Sequence, residues 1–211
     1  MPRTTKPKGA PTKAASSPTE VHQLKITLNG SKPSVWRRIQ VPSTSTLGQL
    51  HAAIQLAFGW TNSHLHEFEI AQQRYTMDLA DEFDDFGGID EDTVTLTAVL
   101  PKGTRAKYLY DFGDSWQHTI LVEDILPADP QATYPTCLTG KNACPPEDCG
   151  GFFGYAQMLE ELQDPDHPEH ETWLEWLGGD FDPKAFSVDE ANARLAQLAK
   201  LRKGRRAASR Q

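Results

Sequence analysis

Apolar and polar residues alternate with a period of two in several separated segments between Val21 and Leu126, and this pattern constrains the chain more than any other feature. Leu24, Ile26 and Leu28 alternate with polar neighbours, Asn29-Gly30 supplies a turn, and Val35, Ile39 and Val41 alternate again. Successive strand residues point to opposite faces, so this pattern predicts a half-buried β-hairpin. His64 to Ile70 repeats the pattern, with His64, His66, Phe68 and Ile70 on one face. Val94, Leu96, Ala98 and Leu100 predict a further strand, and Tyr108 and Tyr110 lead through Asp111-Phe112-Gly113-Asp114, a turn by its Gly and Asp content, to a partner strand over Trp116 to Leu126.

Helical signals interrupt and then follow these strands. Pro42 ends the second strand, the Ser43 to Thr46 run offers N-cap oxygens, and Leu47, Leu50, Ile54 and Ala57/Phe58 fall on one helical face before Gly59. Further on, Tyr155 to Leu162 and His170 to Leu177 read as short helices, the second ending at Gly178-Gly179. A last helix opens on the capping box Ser187-Val188-Asp189-Glu190. Strands first and helices later predict an α+β fold: a mainly antiparallel sheet that opens with a ββαβ unit compatible with a β-grasp-like core, then a helical C-terminal third. The expected division is a disordered basic arm over 1–19, one folded domain over 20–199 and a basic tail over 200–211.

Composition bounds what this domain can do. Hydrophobic residues make up 38% of the 211 positions and charged residues 24%, a globular balance. No apolar run reaches the ~20 residues that cross a bilayer, and the N-terminus lacks a signal-peptide apolar region. The expected location is therefore cytoplasmic, without membrane partners. The net charge of −8 is unevenly spread. Residues 1–14 carry four basic side chains and residues 200–211 carry six, with no acid in either; the remaining eleven basic residues face all 29 acids, a net of −18. Nucleic-acid affinity rests on Lys and Arg neutralising phosphates, so only the tails could bind DNA.

Several strings occur together in this sequence: Val35-Trp36-Arg37-Arg38; Leu50-His51 with Phe58-Gly59-Trp60; His64-Leu65-His66-Glu67-Phe68; Tyr110 through His118 (YDFGDSWQH); and Cys144 through Gly151 (CPPEDCGG). As a set they resemble the plasmid pRiA4b ORF-3-like family, from about Val21 to Leu198. The resemblance implies an α+β protein of the kind found on plasmids and mobile elements, and it brings no established catalytic residues. A serine recombinase chemistry would need a phosphate-binding surface, which a −18 body opposes.

Three groups of residues have ligating or acid–base potential. Cys137, Cys144 and Cys149 lie within 13 residues; an odd, clustered set without a signal peptide suggests reduced thiols or a metal site, with zinc as the fitting ion and His118, His167 or His170 as a fourth ligand. The spacing is not that of a standard zinc knuckle, and buried structural cysteine explains it equally simply. His64 and His66, two apart in a strand, could grip one ion with a carboxylate or His51, or else continue into the core. Asp111 and Asp114 with His118, among Tyr108, Tyr110 and Trp116, could orient an imidazole as a general base, or else build a tight turn over an aromatic core. The acidic stretch over residues 78–92 fails the calcium-loop pattern, since Gly87 at its sixth position puts Thr93 where a Glu is required. There is no Walker A string and no G-x-G-x-x-G after a strand.

These readings lead to a non-enzymatic binding or interaction module with a protein partner. Two alternatives stand beside it: a metal-dependent, hydrolase-like enzyme using His64, His66, Asp111, Asp114 and His118, and a DNA-associated accessory protein acting through its basic tails.

Overall fold

The alternating segments become strands of one 8-stranded sheet in the computed structural model, which describes residues 18–77 and 87–208, with side chains described through residue 198. Residues 1–17 of the arm expected over 1–19, residues 78–86 of the acidic stretch over 78–92, and residues 209–211 lie outside the described residues. Strand β1 (Glu20–Leu28) pairs antiparallel with β2 (Trp36–Pro42). Their connection is tied by Ser31, whose hydroxyl donates to the Leu28 carbonyl and accepts from Val35 N–H, both at 2.9 Å. Helix α1 (Leu47–Phe58) follows. Its first turn is capped by Thr46, which accepts from Gln49 N–H, and its end is closed by Gly59 at φ +94°, a left-handed conformation that glycine adopts without a Cβ clash.

The next strands are β3 (His66–Ile70), β4 (Gln73–Thr76) and the two-residue β5 (Ile89–Asp90). A 3₁₀ turn (Glu91–Thr93) and a short helix α2 (Leu96–Val99) lead to β6 (Arg105–Tyr110), β7 (Trp116–Pro127) and β8 (Thr136–Lys141). Helices α3 (Gly151–Glu161), α4 (His170–Leu177) and α5 (Val188–Ala208) complete the described chain. The sheet order is β5-β4-β3-β6-β7-β1-β2-β8, and every neighbouring pair is antiparallel except β4 with β5. The class is α+β.

Local departures from expectation have physical causes. Leu96–Val99 is helical instead of extended: Leu96 and the capping Leu100 are fully buried, and i and i+4 share a helical face as readily as a strand face. The segment docks across the α1 entrance, with Leu96 N–H on the Ser45 carbonyl and Thr97 N–H on that of Ser43. β1 and β3 are not neighbours, because β6 and β7 lie between them, so the opening four elements do not form a separate sheet unit. β8 falls inside the stretch expected to be helices and loops, and α5 runs into the segment read as a basic tail.

The sheet has one dry face and one wet face. Leu24, Ile26, Ile39, Val41, Phe68, Tyr108, Tyr110, Trp116 and Ile120 are buried, as are Leu50, Ala53, Ile54 and Ala57 of α1. On the other face Arg38 forms a two-point contact with Glu123, at 2.6 and 2.7 Å, and Gln23 joins Glu123 to Gln40. This inward–outward alternation is what an antiparallel sheet with one solvated side requires. At the β8 edge, Asn192 of α5 accepts from Cys137 N–H at 2.7 Å and donates to the Cys137 carbonyl at 3.0 Å. Arg37 is buried at the junction of the layers; it donates to the carbonyls of Ala57, Trp36 and Lys141, and its guanidinium lies 4.1 Å from the Phe186 ring centre.

Candidate functional site

The histidines expected to share a strand face part company. β3 begins at His66, so His64 precedes it and escapes the period-two geometry. His66 turns inward: its Nε2 lies 3.0 and 2.9 Å from the two carboxylate oxygens of Glu91, and its Nδ1 is buried without a hydrogen-bond partner among the described residues. Its ring stacks on His51, centroids 3.4 Å apart and planes 3° apart. His118, also buried, donates from Nδ1 to the Trp116 carbonyl at 3.0 Å; its Nε2, beside Phe58, Trp60 and Tyr108, has no hydrogen-bond partner among the described residues. Burial pushes the imidazoles of His51 and His118 down to about 3; His66 lowers His51 further, while Asn62 acts the other way.

A hydrogen-bond chain runs through this interior. The Gln55 amide donates to Tyr108 Oη at 2.9 Å. His51 Nε2 faces Asn62 Oδ1 at 2.5 Å, which fixes the proton on Nε2 and leaves Nδ1 to accept from the Tyr108 hydroxyl at 2.8 Å. The chain therefore reads Gln55, Tyr108, His51, Asn62. Gln55 Oε1 is buried and has no partner among the described residues.

Gln55 and Asn62 both line a groove of about 570 Å³ along α1. Gly48, Gln49, Ala52 and Leu56 of α1 line it too, together with Trp60, Thr61 and Asp92 among others. A Cβ at Gly48 would stand 2.4 Å from Asp92 Oδ1, so a side chain there would have to push that carboxylate aside.

On the other side of the same connection, His64, Asp111 and Asp148 converge. His64 Nε2 is 3.2 Å from Asp148 Oδ1 and 3.6 Å from Asp111 Oδ2. The turn between β6 and β7 aims Asp111: its Oδ1 accepts from Gly113 and Asp114 N–H, and its backbone is left-handed at φ +58°. Asp148 is left-handed too, at φ +62°. Next to it, Glu147 accepts from Thr61 N–H, Thr61 Oγ1 and Tyr110 Oη, binding the loop after α1 to the loop after β8. Burial, then Glu147, raises the Tyr110 phenol. Asp114 stays apart from this group; its Oδ2 is buried without a partner among the described residues, and its carbonyl packs against Gly151.

Of the residues singled out from sequence, then, His64 and Asp111 meet at the rim, while His66 and His118 are sealed inside around Tyr108. The three cysteines are free thiols, Cys137 on β8 and Cys144 and Cys149 in the following loop. Burial raises all three thiols. Among the described residues, the group of potential ligands whose donor atoms lie within 4.8 Å of one another is His64, Asp111 and Asp148, without a cysteine. Sequence reasoning missed Glu91, Glu147 and Asp148, which sit in acidic stretches that give no reason to prefer one carboxylate.

No helix among the described residues is long and apolar enough to cross a membrane. The chain is 43% identical over 182 residues to the uncharacterized protein y4hQ of Sinorhizobium fredii, covering 85% of this chain and 92% of that one. It is similar to the crystal structure of a protein of unknown function from Methanosarcina mazei Go1, with 39% identity and a TM-score of 0.75, covering 82% of this chain and 97% of that one. The buried aromatic and histidine positions described above lie within residues 20–190, the span that matches the family model, and the chain belongs to the plasmid pRiA4b ORF-3-like protein family.

Proposed function

We propose that the domain is a non-enzymatic binding module whose recognition site is the groove along α1, and that its ligand is a small organic molecule bearing an N–H or O–H donor. The observation that carries this reading is Gln55 Oε1, a buried acceptor without a partner among the described residues, in a residue that lines the groove. A buried unsatisfied polar atom costs about 1–3 kcal/mol, a cost that a donor on the ligand would remove. The groove volume falls in the usual range for small-molecule sites, roughly 300–1,000 Å³, and its walls are largely apolar. Behind Gln55 the chain through Tyr108 and His51 to Asn62 is already satisfied, so the acceptor is held in place before any ligand arrives. The plasmid reading frame in the family's description accords with an accessory role.

Of the five residues weighed for a hydrolase, His64 and Asp111 meet, His66 and His118 are sealed inside and Asp114 stands apart, which favours binding over catalysis at one shared centre. The reading through basic tails concerns residues 1–17 and side chains beyond residue 198, outside the described residues.

A fragment screen by ¹H–¹⁵N NMR on the full-length protein tests the proposal. Hits that shift the amides of Gly48, Ala52, Leu56 and Asn62, and that disappear in Ala52→Trp, are the expected outcome. A screen whose hits all map elsewhere, or persist in Ala52→Trp, would sink it.

A further inference from the structure

We propose that His64, Asp111 and Asp148 hold one first-row divalent cation, Zn²⁺ by preference, which staples together the loop before β3, the turn between β6 and β7, and the loop after β8. This inference does not depend on the groove reading.

The first argument is distance. Nitrogen and oxygen ligands sit about 2.0–2.2 Å from Zn²⁺, so two ligands of a tetrahedral ion stand about 3.3–3.5 Å apart. The separations here, 3.2 Å from His64 Nε2 to Asp148 Oδ1 and 3.6 Å to Asp111 Oδ2, bracket that spacing. The second argument is satisfaction. His64 Nε2 is enclosed and has no hydrogen-bond partner among the described residues, since neither aspartate contact has hydrogen-bond geometry. The Asp111 side chain is 10% exposed, with Oδ1 occupied by two backbone N–H groups and Oδ2 directed at the same nitrogen. A lone pair and a nine-tenths buried carboxylate oxygen thus face one point, and a cation answers both.

The ligand types choose the ion. One imidazole and two carboxylates suit Zn²⁺, Mn²⁺ or Fe²⁺, and the Irving–Williams order favours Zn²⁺ among these. Ca²⁺ requires six to eight oxygens, and Mg²⁺ does not favour imidazole. Asp148 is two-thirds exposed, so a fourth position remains open to water on that side. The cysteines take no part. The bound ion would reinforce the connection that Glu147 already makes from Asp148's neighbouring position to Thr61 and Tyr110.

The test uses full-length protein stripped with EDTA and titrated with Zn²⁺, Mn²⁺ and Mg²⁺ by calorimetry and thermal melting. Expected are one equivalent of Zn²⁺, a Tm rise of about 5–10 °C at a hundredfold excess over Kd, and no response to Mg²⁺. Asp111 is buried and its substitution could unfold the turn, so the deciding variants are His64→Gln and Asp148→Asn. Asn tolerates the left-handed backbone at position 148. Each should weaken Zn²⁺ binding at least tenfold without lowering the metal-free Tm, whereas Cys144→Ser should leave binding unchanged. No Zn²⁺ binding, binding that survives both deciding variants, or binding lost in Cys144→Ser would overturn the assignment.

Discussion

His51 and His66 lie ring on ring in the protein interior, 3.4 Å apart and nearly parallel, and only His66 faces a carboxylate. Burial, followed by the His66 neighbour, holds His51 neutral down to about 3, and burial does the same for His118; His22 is lowered in the same direction. In the unfolded chain these groups take up protons near 6.5. Below that pH the unfolded state binds more protons than the native one, so the stability conferred by a neutral histidine is complete above 6.5. It is lost progressively as pH falls toward 3, by at most about 1.4 kcal/mol per pH unit for each group. Urea midpoints should therefore drop between pH 6.5 and 5, above the range where carboxylates titrate. A flat profile there would contradict the neutral-histidine interior.

Arg37 has three carbonyl acceptors and an aromatic face but no carboxylate at hydrogen-bond distance among the described residues. Its burial pushes the guanidinium down to about 10. Lysine offers a point charge in place of a planar fork and cannot reach all three carbonyls together. Arg37→Lys should cost about 2–4 kcal/mol in urea denaturation. A loss below about 1 kcal/mol would mean that the carbonyls find other donors.

Arg38, one residue on, predicts the opposite. Its contact with Glu123 is short and two-pronged, but both side chains are partly exposed on the wet face of the sheet. Solvent screens such pairs to about 0–1 kcal/mol. Glu123→Gln should shift the denaturation midpoint only slightly, and 1 M salt should erase the difference. A large, salt-independent loss would show that the sheet face is covered by a partner.

Gly151 combines a left-handed φ of +66° with a position where a Cβ would stand 2.6 Å from the Asp114 carbonyl oxygen. Neither the conformation nor the space admits a side chain. Gly151→Ala should destabilise by roughly 1–3 kcal/mol and displace the turn that aims Asp111. The accompanying NMR shifts should concentrate at residues 111–115. An unchanged spectrum there would show that the turn does not lean on this glycine.

Residue periodicity made much of the sheet legible, and its failures are local. β4 is hidden because Ala71 and Gln72 turn the chain at φ +50° and +67°, conformations normally announced by Asn or Gly. Leu96 and Leu100 satisfy both helical and extended spacing, and only their docking on Ser43 and Ser45 decides. His64 and His66 looked like a pair because the strand was expected to begin two residues too early. Gln55 reads as an ordinary helical glutamine, and nothing in its neighbours reveals that one side-chain atom is stranded. Asp148 lies among prolines, glycines and acids whose convergence with His64 depends on the path of two loops.

The Asn192 side chain has a consequence for the crowded cell. By occupying both the N–H and the carbonyl of Cys137, it removes from the outermost strand the first rung that a foreign peptide would grasp. An invader extending the sheet at that rung must first evict an amide fixed to a helix. A helix-borne amide thereby guards that rung of the β8 edge against runaway self-assembly.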